Sequence, residues 1–259
     1  DWSSDVCSSD LELADLSKGE DTRSARRTAN NLPNVALVGY TNAGKSTLMN
    51  RLLARFGIGA ESDDTKQVFE KDMLFATLNT TVRQLTLPDK TQFLLSDTVG
   101  FVSKLPHNLV AAFKSTLQEA AQADLLLQVV DISDPHYKDM MTTTENTLRE
   151  VGITNIPMVT VYNKADKTTL NYPDVSGENA ITLSALEAAS QDALITLIQK
   201  HVFKDNETVT LHIPFDQGAV QAKLAANHTF IAENYDDSGT LLTVELSQLE
   251  LEQFKKYII

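Results

Sequence analysis

Eight residues near the start of the chain have the types and spacing of a phosphate-binding loop. Residues 39–46 read Gly-Tyr-Thr-Asn-Ala-Gly-Lys-Ser and follow the apolar run Val35–Val38. In this pattern, backbone N–H groups at the start of a helix surround phosphate oxygens, Lys45 can reach the β- and γ-phosphates, and the Ser46 hydroxyl can bind Mg²⁺. The candidate contacts are Gly39, Tyr40, Thr41, Asn42, Ala43, Gly44, Lys45 and Ser46. Alone, the motif fits ATP and GTP equally, and the plain alternative is an unrelated glycine-rich turn.

A second candidate motif ends the apolar run Phe93–Leu95, where the chain reads Asp-Thr-Val-Gly. Asp97 can hold Mg²⁺ through a water molecule, as a Walker-B carboxylate does. Gly100 can offer its backbone N–H to a γ-phosphate, which a side chain would obstruct. By itself this pattern is usually a turn, but after a strand downstream of a phosphate loop it indicates a catalytic site. Its candidate contacts are Asp97, Thr98, Val99 and Gly100.

A third motif, Asn-Lys-Ala-Asp at residues 163–166, follows the apolar segment Met158–Tyr162. Asp166 can accept hydrogen bonds from guanine N1–H and the 2-amino group, which adenine does not present, so the motif favours GTP. Asn163 can tie this loop to the phosphate loop, and the Lys164 stem can lie along the base. A weaker signal is Ser184-Ala185-Leu186, where the Ala185 N–H could bind guanine O6.

The elements that must position these motifs alternate between strands and helices. Strands are predicted at Val35–Val38, Thr81–Leu87, Thr91–Leu95, Leu125–Val130, Met158–Tyr162 and Ala180–Leu183, and helices at Lys45–Arg55, Asn108–Ala121, Tyr137–Val151 and Gln191–Lys200. The turn Pro88-Asp89-Lys90 joins the second and third strands into a hairpin. The alternation predicts an α/β fold with a doubly wound, mainly parallel sheet and its ligand at the carboxyl ends of the strands.

The chain is expected to divide into three parts. Residues 1–11 read like a translated sequencing adapter, and residues 12–33 read as a linker or a helix end. Residues 34–203 form the nucleotide-binding domain. Residues 204–259 are predicted to form a small α+β domain, with alternation at 209–213, a helix at Gly218–Asn227, strands at Thr229–Asn234 and Leu241–Leu246, and a last helix at Gln248–Tyr257.

Composition excludes some classes of protein and partner. The 259 residues carry a net charge of -13, which argues against broad binding to nucleic acid or an anionic membrane. No apolar run approaches the roughly 18 residues of a membrane helix. A single cysteine, Cys7, fits a reducing cytoplasm. The histidines have no ligand-like spacing, so we expect no zinc site.

The motifs together resemble the HflX branch of the Obg-like translational GTPases. The resemblance rests on Gly-Tyr-Thr-Asn-Ala-Gly-Lys-Ser-Thr-Leu, Leu-Phe-Ala-Thr-Leu-Asn and Asp-Thr-Val-Gly-Phe-Val. It implies a P-loop GTPase with a Ras-like fold that acts on the large ribosomal subunit and separates stalled or idle ribosomes. Family members carry a longer N-terminal region than this chain.

The resemblance also locates a first switch, with candidate contacts Phe75, Ala76, Thr77, Leu78 and Asn79. It implies that Thr77 binds Mg²⁺ directly, together with Ser46. From chemistry alone, Thr80 and Thr81 are equally plausible as the threonine that binds Mg²⁺.

Hydrolysis is expected to be slow without help, because Phe101 stands where Ras-like proteins have the glutamine that orients water. In related potassium-stimulated GTPases, an Asn at the position of Asn42 helps hold a monovalent cation. We therefore expect K⁺ as a candidate second cofactor and Asn42 as a catalytic residue beside Lys45, Thr77 and Gly100. The alternative is that Asn42 only braces the loop.

Three functions compete on these grounds. The first is a GTP hydrolase acting on the ribosome. The second is a GTP-dependent switch or adaptor whose output is partner binding, with hydrolysis as a timer. The third, an ATP-using kinase, is disfavoured by residues 163–166.

Overall fold

The computed structural model describes residues 32–57, 81–98 and 120–259. Several predicted site residues lie outside these ranges: Phe75, Ala76, Thr77, Leu78, Asn79, Val99, Gly100 and Phe101. The first 31 residues also lie outside them, and so does nearly all of the helix predicted at Asn108–Ala121. Residues 34–259 form one compact unit.

The larger sheet has the strand order β2-β3-β1-β4-β5-β7-β6. Its strands are β1 Asn34–Val38, β2 Thr81–Thr86, β3 Gln92–Asp97, β4 Leu125–Asp131, β5 Met158–Asn163, β6 Asp174–Val175 and β7 Ala180–Thr182. Neighbours among β3, β1, β4, β5 and β7 are parallel, whereas the two edge strands are antiparallel. The predicted mainly parallel α/β sheet is confirmed.

Helices cover both faces of this sheet. They are α1 Lys45–Phe56, α2 Tyr137–Glu150 and α3 Ala188–Val202. Val35 and Leu37 join the buried cluster that includes Leu48 of α1 and Leu194 of α3. The alternate residues of β1 join a second cluster with Leu148 of α2. Burial on both faces explains why β1 is an apolar run from Val35 to Val38.

A second, three-stranded antiparallel sheet follows, with the order β8-β10-β9. Its elements are β8 Glu207–Pro214, α4 Gly218–Asn227, β9 Ala232–Tyr235, β10 Gly239–Leu246 and α5 Gln248–Phe254. Leu211, Leu242 and Val244 pack with Leu224 and Phe254 in a separate buried cluster. We call residues 204–259 the C-terminal unit. The division at residue 203 stays a prediction, because residues 34–259 group as one compact body.

Several predicted boundaries differ from the structure. The strand predicted at Thr229–Asn234 covers Ala232–Tyr235, and the last predicted helix ends as an α-helix at Phe254, followed by a 3-10 turn at Lys255–Tyr257. Helix α3 begins at Ala188 rather than Gln191, because Ala188, Ala189 and Ser190 lack the apolar spacing used to find it. The short strand β6, which pairs with β7, lies in a segment for which no strand or helix is predicted from the sequence. Both of its residues are exposed, so no alternation of apolar and polar residues marks it.

Candidate GTP-binding site

The phosphate loop lies between the end of β1 and the start of α1. Gly44, which precedes α1, has φ +97°, and a Cβ there would lie 2.4 Å from Asn163 Nδ2. Gly39 has φ +144°, and a Cβ there would lie 2.2 Å from Val129 O. Both positions therefore require glycine for conformation and for space.

Lys45 is buried inside this loop. Its Nζ donates to Gly39 O and to Tyr40 O, each at 2.9 Å. Burial lowers the pKa of Lys45 to about 8, an effect that the nearby Asp97 carboxylate opposes. At neutral pH the side chain is therefore still mostly a cation, held where phosphate oxygens would be received.

Ser46 and Asp97 meet at the carboxyl ends of β1 and β3. The Ser46 Oγ donates to Asp97 Oδ2 at 2.8 Å, and Asp97 is fully buried. The next residue, Thr98, donates to Leu37 O at 2.6 Å and fixes the end of β3 against β1. The structure thus joins two of the predicted Mg²⁺ residues, and hydroxyl and carboxylate oxygens are the donors that Mg²⁺ prefers.

Asn163, at the end of β5, is buried and uses both ends of its carboxamide. Its Nδ2 donates to Ala43 O at 3.0 Å, which is the link to the phosphate loop expected from the sequence. Its Oδ1 accepts from the Ala185 N–H at 3.0 Å. One side chain therefore connects the phosphate loop, residues 163–166 and the loop at 184–186. The Ala185 N–H, predicted to serve guanine O6, already has this partner.

Lys164 makes a second bridge to the phosphate loop. Its Nζ lies 2.7 Å from Asp131 Oδ2 and donates to Asn42 O at 2.6 Å. Burial alone would raise the pKa of Asp131, but hydrogen bonds from Lys164 and Ser133 hold it below its usual value. Asp131 was missed by sequence reasoning, although it is a carboxylate at the end of a buried strand, as Asp97 is.

The remaining base-contact candidates lie nearby. Asp166 follows in a single 3-10 turn, Ala165–Lys167, and its side chain is exposed. Ser184 is buried and its N–H donates to Ser190 Oγ at 3.3 Å, whereas the Leu186 side chain is largely exposed. Beside the loop, a cavity of about 260 Å³ is lined by Tyr40, Thr41, Asn42 and residues of β4 and α2.

Across residues 32–57, 81–98 and 120–259, no three His, Cys, Asp or Glu side chains are grouped to hold a metal ion. Within the same ranges, no helix has both the length and the apolar composition to cross a bilayer.

Residues 34–164 match the family model described as "50S ribosome-binding GTPase". The chain belongs to this GTPase family. The match extends from the first strand through the phosphate loop to Lys164, so it contains most of the geometry described above.

Curated relatives of this chain carry the name GTPase HflX. The chain is 38% identical over 249 residues to the protein of Caldanaerobacter subterraneus, covering 96% of this chain and 55% of that protein. It is 45% identical over 190 residues to the protein of Lacrimispora saccharolytica, covering 73% of this chain and 42% of that protein. The chain spans about half the length of these two curated relatives.

A solved structure shares the fold. A crystal structure of a point variant of SsGBP aligns with a TM-score of 0.52 and 23% identity, over 78% of this chain and 65% of that one. Together with the HflX relatives, it confirms the predicted P-loop GTPase fold.

Proposed function

We propose that this chain binds GTP with Mg²⁺ and hydrolyses it to GDP and phosphate. The observation that carries the proposal is the Asn163 carboxamide, which joins the phosphate loop at Ala43 O to the Ala185 N–H of the base loop. A purine nucleotide placed with its phosphates at Lys45 would have its base beside these groups. Asp166, exposed next to them, is the carboxylate that distinguishes guanine.

The residue roles follow from chemistry and from the family. Lys45 would neutralise phosphate charge, and Ser46 and Asp97 would hold Mg²⁺, directly and through water. Thr77 and Gly100 are proposed for the direct Mg²⁺ contact and the γ-phosphate contact. When bound, Mg²⁺ neutralises charge that develops on the β- and γ-phosphate oxygens.

Phosphate release from GTP and from ATP tests this function. We expect the purified chain to release phosphate from GTP in the presence of Mg²⁺, and ATP to be a poor substrate. Lys45→Ala should reduce GTP turnover at least about 100-fold, because a buried cation at the phosphates is lost. Equal turnover of ATP and GTP would contradict the proposal.

We propose also that K⁺ assists hydrolysis at Asn42. This residue lies in the phosphate loop with φ +62°, and it is exposed. A cation held there would offset transition-state charge where an arginine finger does in other GTPases. Turnover should be faster in KCl than in NaCl, and Asn42→Ala should remove the difference. Equal rates in the two salts for the unaltered chain would exclude this role.

We propose further that the chain acts on the large ribosomal subunit in the cytoplasm, as the HflX resemblance implies. Co-sedimentation with ribosomal subunits in a non-hydrolysable GTP analogue tests this. Binding that needs GTP but not its cleavage would favour the switch or adaptor alternative. No binding in any nucleotide state would contradict the ribosomal role.

A further inference from the structure

Asp131 is a carboxylate that lies outside the nucleotide-binding motifs. It ends β4, where its Cα is the register partner of Asn163 at the end of β5. Its Oδ2 accepts from Lys164 Nζ at 2.7 Å. Its Oδ1 accepts from the Ser133 N–H at 3.0 Å and from the Ser133 hydroxyl. Both carboxylate oxygens therefore have donors, and the side chain, which is 19% exposed, is held from two directions.

Lys164 is held at the far end of its side chain. Its Nζ is bound to Asp131 and also donates to Asn42 O at 2.6 Å. Its Cε lies 3.8 Å from the place that a Cβ on Gly44 would take, so the stem runs beside the phosphate loop. The side chain as a whole is 24% exposed. The ammonium is thus anchored, and the methylene stem between it and the backbone has few rotamers left.

A fixed lysine stem is a better contact for a flat base than a free one. Lysine is among the side chains that lose the most rotamer freedom when they are ordered. Asp131 and Asn42 remove that freedom before a ligand arrives, so a base that packs on the stem does not bear this cost. Asp166, the proposed guanine carboxylate, follows Lys164 by two residues and is exposed. The stem and this carboxylate therefore belong to the same loop.

We propose that Asp131 is a positioning residue for guanine-nucleotide binding, acting through Lys164, whose stem it holds as a surface on which the base packs. The inference rests on the proposed GTP binding. Its effect should fall on nucleotide affinity and not on the chemical step, because Asp131 acts on the base contact and not on the groups proposed for the phosphates and Mg²⁺.

Asparagine cannot replace the carboxylate at position 131. It keeps the size, but one of its two terminal atoms is an amide nitrogen, which donates. Either Lys164 or Ser133 would then face a donor in place of an acceptor. Asp131→Asn therefore weakens the anchor without opening a cavity. Asp134→Asn is the matched control, because it removes the same charge three residues further along and keeps an oxygen for the His136 N–H.

The test is a double-mutant cycle on Asp131 and Lys164. Titration calorimetry gives the GDP dissociation constants of the unaltered chain, Asp131→Asn, Lys164→Met and the double variant. Methionine keeps an apolar stem and loses the ammonium that Asp131 binds. If Asp131 acts through that ammonium, its substitution should add nothing once the ammonium is gone. The kcat and KM for GTP are measured on the same proteins.

We expect Asp131→Asn to weaken GDP binding about tenfold and to raise the KM for GTP by a similar factor, with kcat changed less than about twofold. In the Lys164→Met background, the same substitution should change GDP affinity less than about twofold. The Asp134 variant should match the unaltered chain. Thermal unfolding checks that each variant is folded, and Asp131→Ala or Lys164→Leu replaces a first choice that is not.

Three outcomes overturn the inference. The first is unchanged GDP affinity in a folded Asp131 variant. The second is the same loss with and without the Lys164 ammonium, which would mean that Asp131 acts on the loop by another route. The third is a fall in kcat at unchanged KM. If the unaltered chain binds neither GDP nor GTP, the proposed function itself fails, and this result is distinct from all three.

Discussion

At the scale of single residues, the site is built from polar side chains whose partners are largely backbone groups. Lys45, Thr98 and Asn163 are buried and bond to carbonyl oxygens of β1 or the phosphate loop. Asn163 was predictable because it belongs to a motif with a fixed place after a strand. Asp131 was not, because no motif contains it and its partner Lys164 lies 33 positions further along the chain.

Asp166 is the residue expected to select guanine over other bases. Asp166→Asn replaces one carboxylate oxygen, an acceptor, by an amide donor, which suits the C2 carbonyl of xanthine better than the 2-amino group of guanine. GDP affinity should fall at least about tenfold, and affinity for xanthosine diphosphate should rise. Titration calorimetry with both nucleotides measures the change. The same substitution at exposed Asp174 should leave both affinities unaltered, and an unchanged preference in the Asp166 variant would remove that residue from base recognition.

At the scale of elements, the burial pattern explains which segments could be predicted. Central strands β1 and β4 lie between two layers of helix, so their sequences are nearly continuous apolar runs. Helix α5 begins with a capping box. In it, the Glu250 carboxylate accepts hydrogen bonds from the Ser247 N–H and from the Ser247 hydroxyl. Strand β6 has neither signal, since pairing with β7 alone defines it.

The capping box gives the C-terminal unit a specific sensitivity to acid. Burial alone would raise the pKa of Glu250, but hydrogen bonds from His228, at 2.9 Å, and from Ser247 hold it at about 2. The unfolded chain therefore takes up this proton first as pH falls. The stabilisation by the Glu250 carboxylate is complete above about pH 4.5 and is lost as pH drops toward 2.

We expect Glu250→Gln to lower the free energy of unfolding by about 1 kcal/mol near neutral pH, because the hydrogen bonds that the Glu250 carboxylate accepts are partly exposed. The difference from the unaltered chain should vanish toward pH 2. Urea unfolding at pH 7, 5, 4 and 3 measures this difference in the free energy of unfolding. Glu252→Gln, on the exposed side of the same helix, controls for loss of a charge. A difference that is constant with pH would show that the Glu250 charge is not responsible.

At the scale of the whole molecule, the β2–β3 hairpin connects the nucleotide site with the C-terminal unit. Its open end carries Asp97, beside Ser46. At its closed end, Lys90 Nζ donates to Ala225 O and His228 O, and the Asp89 carbonyl accepts from Thr229 Oγ1 at 2.8 Å. A lysine ammonium at the last carbonyls of α4 also complements the helix dipole.

Removing that ammonium should loosen the C-terminal unit and leave the larger sheet intact. We expect Lys90→Met to lower the free energy of unfolding by about 0.5–1 kcal/mol, which is within the usual range for a cation at a helix end. Hydrogen exchange should rise at the C-terminal end of α4 and stay unchanged in β1 and β4. Lys204→Met, at an exposed lysine outside the hairpin, is the control. Unaltered exchange at residues 224–229 would mean that Lys90 adds nothing to the contact.

Local spacing in the sequence is enough to predict the fold class, most of the strands and helices, and the phosphate and base motifs. Gly39–Ser46 and Asn163–Asp166 are contiguous segments, and each follows an apolar strand that can be recognised alone. Only the tertiary structure brought Asn163 to Ala43, Lys164 to Asp131 and Lys90 to α4. These contacts join residues many positions apart, and side chains meet there only once the sheet and its helices have packed.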